Sequence, residues 1–267
     1  MVMSRPTGAA LGRAWRSAID QLVQWLSQID AYRVAGRIRR CRGTLLVCGG
    51  LAGVVGLGDT CLIEARSHNL DECLPTPTLA REPLLGEVVA LDDAGVHLLP
   101  FSEADGVGLG ARVTLARGHD RIRPGPGWIG RTLDPLARPL DGRPPPPPGA
   151  RTYRLQARPA PAHRRRDFGP RLDLGVRALN LFTPCCRGQR MGIFAGSGVG
   201  KSTLLAMLAR HSDADALVLG LVGERGREVN ALLHHGLGRA GLARSVVVVA
   251  TSDMPAMLRR RAAYLTL

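Results

Sequence analysis

The chain of 267 residues has 36 cationic side chains, of which Lys201 is the only lysine; it sits in Ala195-Gly196-Ser197-Gly198-Val199-Gly200-Lys201-Ser202. A sequence that uses arginine everywhere else keeps a compact, flexible ammonium at this one position. That is what a phosphate-binding loop needs and a planar guanidinium does not imitate. Glycines at 196, 198 and 200 free the backbone for turns a Cβ would oppose. Successive N–H groups can then form an anion-binding concavity at a helix start, with Lys201 on the terminal phosphates and the Ser202 hydroxyl on magnesium. Ala195 replaces the first glycine of the strict pattern, where the demand is for a small residue. Read alone, the octet also fits an ordinary glycine-rich turn. Its flanks favour the phosphate loop: Arg190–Phe194 reads as a short buried strand and Thr203–Arg210 as a helix, so strand, loop and helix follow in order.

A second strand, Ala216–Val222, leads into Gly223-Glu224-Arg225-Gly226-Arg227-Glu228-Val229. Parallel strands end on a common edge, so Glu224 is expected in the same crevice as the loop. A carboxylate there can orient and deprotonate water, and Arg225 can stabilise charge on a transferring phosphoryl group. Spacing alone favours a solvated, charged turn ahead of a helix.

The formal charge of +14 and pI near 11.0 first raise nucleic-acid binding. Against it, the arginines are scattered and only ten aromatic residues are available for base stacking. Acidic protein partners or anionic lipid fit this charge as well. Six cysteines without a Cys-x-x-Cys pair, and no secretory leader, argue for free thiols and a cytoplasmic chain. Runs such as Ser245–Ala250 are too short for a transmembrane segment.

Four regions are expected along the chain. In residues 1–33, Trp15, Ile19, Leu22, Val23, Leu26 and Ile29 recur at helical spacing, an amphipathic helix suited to packing on the next domain or to a membrane surface. Residues 34–115 carry short β-like runs (Gly43–Cys48, Thr60–Ala65, Gly86–Leu91 and Val96–Leu99) separated by glycine turns, the pattern of a small β-barrel. Residues 116–170 are rich in proline and glycine, with five consecutive prolines from Pro144 to Pro148, and read as a stiff connector. Residues 171–267 alternate strand and helix, which predicts a P-loop parallel α/β domain.

The stretch from Gly188 to Ser202, together with Gly223–Val229, resembles the flagellum-specific ATPases of type III protein export, relatives of the rotary ATP synthase β subunit. Gly130–Asp134, Arg138–Gly142, Leu174–Asn180, Val246–Asp253 and Met257–Tyr264 fit the same pattern, so the resemblance spans about residues 34–265. It implies that the octet binds ATP with Mg2+, that Lys201, Glu224 and Arg225 are catalytic, and that Ser202 is a metal ligand. It further implies a homohexamer at the cytoplasmic side of the inner membrane, a regulator or stator protein on the N-terminal helix, and contacts with the export gate and with substrates or chaperones. The injectisome ATPases resemble the chain in the same motifs. In that family more sequence follows, including a magnesium-ordering aspartate and a helical domain. The chain is therefore expected to be an N-terminal part with an incomplete sheet, either an ATPase or a non-catalytic nucleotide-binding module.

Overall fold

The computed structural model describes residues 15, 19, 34–65, 83–157, 159–196 and 198–267. Trp15 and Ile19 are helical and exposed; the remainder of the expected N-terminal helix lies outside the described residues.

Six strands, β1 (Ala35–Arg42), β2 (Leu45–Gly49), β3 (Thr60–Ile63), β4 (Leu84–Asp92), β5 (Gly95–Pro100) and β6 (Arg112–Leu115), close into a barrel in the order β1-β2-β5-β4-β3-β6. Every neighbouring pair is antiparallel, and β1–β6 pairing seals the ring. Closure leaves no edge strand unsatisfied. Period-two burial places Val96 and Leu98 inside along β5, where they meet Ile38, Leu46, Cys48, Cys61, Ile63, Val88 and Val113. The β4–β5 turn needs its glycine: Gly95 has φ of +130°, and a Cβ there would lie 2.4 Å from the Cys48 carbonyl oxygen. Burial pushes the Cys48 thiol up to about 11 and the Cys61 thiol to about 12.

Two of these strands were not legible beforehand. β1 carries four arginines, and its inward alternation is carried by Gly36 and Ile38 alone. Gly36 is small because the Cys48 sulfur lies against it, 2.5 Å from where a Cβ would be.

The connector is more than a spacer, which corrects the expectation for residues 116–170. Within it, β7 (Arg121–Ile122) pairs with β9 (Tyr153–Arg154), and β8 (Arg131–Leu133) runs parallel to a strand more than a hundred residues later. Arg131 is buried because Asp141 meets it with two hydrogen bonds, at 2.6 and 3.0 Å, and the Pro144 carbonyl accepts a third at 2.7 Å. The Arg131 and Arg143 guanidinium groups hold the Asp141 carboxyl well below the usual carboxylate range.

Two two-residue strands, β10 (Arg171–Leu172) and β11 (Cys185–Cys186), flank the short helix α1 (Arg177–Phe182). The parallel sheet itself comprises β12 (Leu217–Val222), β13 (Ser245–Ala250) and β8, in the order β12-β13-β8. Helix α2 (Lys201–His211), helix α3 (Gly226–Ala231) and the π-turn Leu232–Leu237 cover one face, burying Ala206, Ala209, Val229 and Leu237 against Leu221, Val247 and Val249. Helix α4 (Gly238–Ala243) leads into β13, and α5 (Ala256–Thr266) packs on β12 and β13. Gly220 admits the Thr266 side chain, which would stand 2.5 Å from a Cβ.

Helix α5 also docks the sheet to the barrel. Arg260 pairs with the buried Glu87 of β4. Arg261 donates to the carbonyls of Pro135 and His119 and lies 5.7 Å above the Phe101 ring.

The expected strand Arg190–Phe194 does not form. No described residue builds a ladder with it, Met191 is exposed and Phe194 is 97% exposed. An apolar run becomes a strand only beside a neighbour that takes its backbone hydrogen bonds.

Candidate functional site

The phosphate-loop octet leads directly into α2, whose first residue is Lys201. Gly198 and Gly200 have φ of +79° and +99°, and the left-handed Gly200 caps the helix. Space does not dictate these glycines, since nothing lies within 4 Å of a Cβ built on either one. The requirement is conformational: left-handed turns at Gly198 and Gly200 carry the chain into α2, whose first amides have no partner within the helix. Ala195, Gly196, Gly198, Gly200, Lys201 and Ser202 all line one cleft of about 960 Å³, and Val199 is exposed beside them. Ser197 lies outside the described residues.

Glu224 enters the same cleft from the carboxyl end of β12. Two backbone bonds fix its position at the end of β13: Gly223 N to the Ala250 carbonyl at 2.7 Å, and Ser252 N to the Glu224 carbonyl at 3.0 Å. Its carboxylate Oε1 accepts from Lys201 Nζ at 3.3 Å. Arg225 caps α3 and reaches Glu228 Oε1 at 3.6 Å, one turn along. The structure thus brings Lys201 and Ser202 into one cleft with Glu224 and Arg225, whose last member is 24 positions beyond Lys201.

The cleft has further walls that sequence reasoning did not single out. Met207 and Arg210 of α2, Arg227 and Glu228 of α3, and His235 of the π-turn all line it. The signal was present in part: Thr203, Ala206, Met207 and Arg210 follow helical spacing from the loop and share one face. Nothing in the sequence marks residues 232–237 as a π-turn. Four cations, Lys201, Arg210, Arg225 and Arg227, face two carboxylates, so the cleft carries net positive charge suited to a polyanion. Unpaired helix-start amides, a hydroxyl at Ser202 and an ammonium at Lys201 are a donor set that fits a magnesium-bound nucleoside polyphosphate.

A closed six-stranded barrel is followed in this chain by a parallel α/β region that carries the loop. Residues 175–267 match the family described as "ATP synthase alpha/beta family, nucleotide-binding domain". Among named relatives, the chain is 45% identical over 247 residues to the flagellum-specific ATP synthase of Caulobacter vibrioides, covering 92% of this chain and 52% of that protein. It is 39% identical over 235 residues to the SPI-2 type 3 secretion system ATPase of Salmonella typhimurium, covering 88% and 50%. The assembled ATPase EscN of the enteropathogenic E. coli type III secretion system superposes with a TM-score of 0.70 at 35% identity, over 86% of this chain and 52% of that one. A second structure shows EscN in complex with its central stalk EscO. The chain therefore spans about half the length of the relatives it matches. Among the described residues no helix is long and apolar enough to cross a membrane.

Proposed function

We propose that this chain carries the nucleotide site of an ATPase that powers flagellar type III protein export, and that it binds ATP with Mg2+ in the cleft between α2 and α3. The observation that carries the reading is the meeting of Lys201 and Glu224, 3.3 Å apart, at the mouth of the loop. The backbone amides around residues 196–202 receive phosphate oxygens, and Ser202 offers its hydroxyl to the metal. Lys201 exchanges Glu224 for phosphate, which leaves the Glu224 carboxylate free to take a proton from water. Arg225 turns from Glu228 toward the phosphates, where a guanidinium opposes developing negative charge. Bound MgATP supplies the reactive phosphoanhydride and, through the metal, screens its charge.

The relatives' names support the flagellar reading most often, while the SPI-2 and EscN matches keep an injectisome role as the second reading. The assembled EscN structures, one with its central stalk, support an oligomer with a stalk partner; the homohexamer and a regulator in the stalk's place are our assignment. Residues 1–33 are our candidate contact for such a regulator, and the export gate, substrates and chaperones at the cytoplasmic face of the inner membrane are the remaining partners we assign.

Calorimetry with MgADP and a phosphate-release assay test the site. Lys201→Ala lowers nucleotide affinity by about 100-fold or more, a charge-assisted contact being lost. Glu224→Gln keeps binding and removes turnover. Binding without any turnover in the parent chain favours a non-catalytic module, and no binding at millimolar MgADP ends the reading.

A further inference from the structure

The proline run between Asp141 and Gly149 is a wall of a hollow where the connector meets α5. The Pro144 carbonyl accepts from the buried Arg131, and Pro147 packs on Gly127, where a Cβ would stand 3.0 Å from the proline ring. Gly149 N donates to the Arg123 carbonyl at 2.7 Å, and Arg123 Nε donates to the Gly149 carbonyl at 2.9 Å. With the run fixed in this way, Pro146 and Pro148 line a hollow of about 270 Å³ together with Ile122 and Trp128. Arg261 and Leu265 of α5 close it from the side of the sheet.

Its charge is one-sided. Arg121, Arg123 and Arg261 line it, and no carboxylate among the described residues does. A neighbouring cavity of about 210 Å³ shares Arg261 and is balanced: Arg154, Arg260 and Arg261 there meet Asp59, Glu87 and Asp120. The carboxylates that act on Arg261, those of Glu87, Asp134 and Asp120, stand outside the lining of the first hollow.

In an arginine-rich chain, cations around a hollow are ordinary where long side chains simply reach water. Arg121 is of that kind, exposed and 3.6 Å from Asp120. The other two are held. Arg123 is tied to the Gly149 carbonyl, and Arg261 donates to the carbonyls of Pro135 and His119. Backbone oxygens orient both guanidinium groups without neutralising them, so their remaining N–H groups are preorganised for an anion. Burial opposes the charge on Arg261, a cost that an anion in the hollow would offset.

The walls select the kind of anion. Polyphosphates are met at helix starts, and none lines this hollow. The space is about that of nine waters, and the lining beside the cations is largely carbon: Trp128, Ile122, Leu136 and the proline rings. A carboxylate accepts paired N–H bonds from a guanidinium, and its apolar body can rest on such a wall.

We propose that the hollow binds a small organic acid, with its carboxylate between Arg123 and Arg261 and its apolar body against Trp128, Pro146 and Pro148. The bound acid bridges the connector and α5, the helix whose Arg260 holds Glu87 of the barrel. Occupancy therefore stiffens the joint between barrel and nucleotide-binding sheet.

Benzoate is the probe, added to the full chain carrying Trp15→Phe and Trp25→Phe, which leaves Trp128 as the only tryptophan. Expected is a saturable change in Trp128 emission, half-complete near about 1 mM. Benzamide (the ring without the charge) and inorganic phosphate (the charge without the ring) need at least about tenfold more. Arg123→Gln and Arg261→Gln each weaken benzoate about tenfold or more. Should a variant fail to fold, the contrast between benzoate and benzamide still decides. A response that stays linear to about 10 mM, benzamide or phosphate as potent as benzoate, or unchanged benzoate affinity in a folded Arg123→Gln chain would each overturn the proposal.

Discussion

Strand β1 and the segment Arg190–Phe194 make an instructive pair. The first has four arginines in eight residues and is a strand; the second has methionine, isoleucine and phenylalanine and is not. In the barrel each of six strands has two neighbours, so even an arginine-rich sequence finds its ladder on both sides. In the nucleotide-binding sheet only β13 has two neighbours, and no described strand flanks 190–194. Side-chain hydrophobicity makes burial worthwhile, but the neighbour decides whether a strand forms.

Core substitutions should expose this contrast most strongly. Leu98→Ala, in the sealed barrel, is expected to cost about 3 kcal/mol in chemical denaturation, while Phe194→Ala changes stability by less than about 0.5 kcal/mol. Equal costs would mean that 190–194 is packed in solution. Thiol labelling reports the same contrast without mutation. At pH 9, Cys41 and Cys186 should react about 50-fold or more faster than Cys48 and Cys61, whose raised thiols stay protonated and covered. The sign for stability follows. Unfolding releases two thiols to ionise near their ordinary value, so barrel stability declines as pH rises beyond about 9, and a flat profile between pH 8 and 10 would contradict it.

The joint between the regions comes next in size. Arg260→Ala strands the buried Glu87 carboxylate and should cost about 2 kcal/mol, with Glu87→Gln recovering part of the loss in the double variant. Additive single effects would show that the pair does not couple barrel and sheet. The smallest effect is a gain. Ala137 has φ of +62°, a left-handed backbone unusual for a residue with a Cβ. Ala137→Gly should stabilise by about 0.5–1 kcal/mol, relief of strain exceeding the added freedom of the unfolded chain, and thermal melting decides it.

Much of the fold and the site could be read from residues. The loop octet, the helix behind it and the carboxylate after the next strand are all local signals, and parallel strand geometry is enough to bring Glu224 toward Lys201. Four barrel strands were visible through alternation and turns. What stayed hidden depends on distant partners. β1 is hidden because one of its two inward positions is a glycine, β8 because three residues in a proline-rich stretch find their partner strand at Val246–Val248, more than a hundred residues on, and 190–194 because an apolar run carries no record of whether a neighbour exists. Arg210 and His235 were missed because the cleft wall is made by two helices meeting, and the π-turn that presents His235 has no composition signal.

The placement of β8 has a practical side. A gene fragment beginning at residue 171 looks like a tidy way to express the nucleotide-binding region by itself, yet it would discard one rail of a three-rail track and leave Val246, Val247 and Val248 facing water along their backbones. A fragment beginning at Gly130, with the Asp141 clasp included, keeps that rail in place.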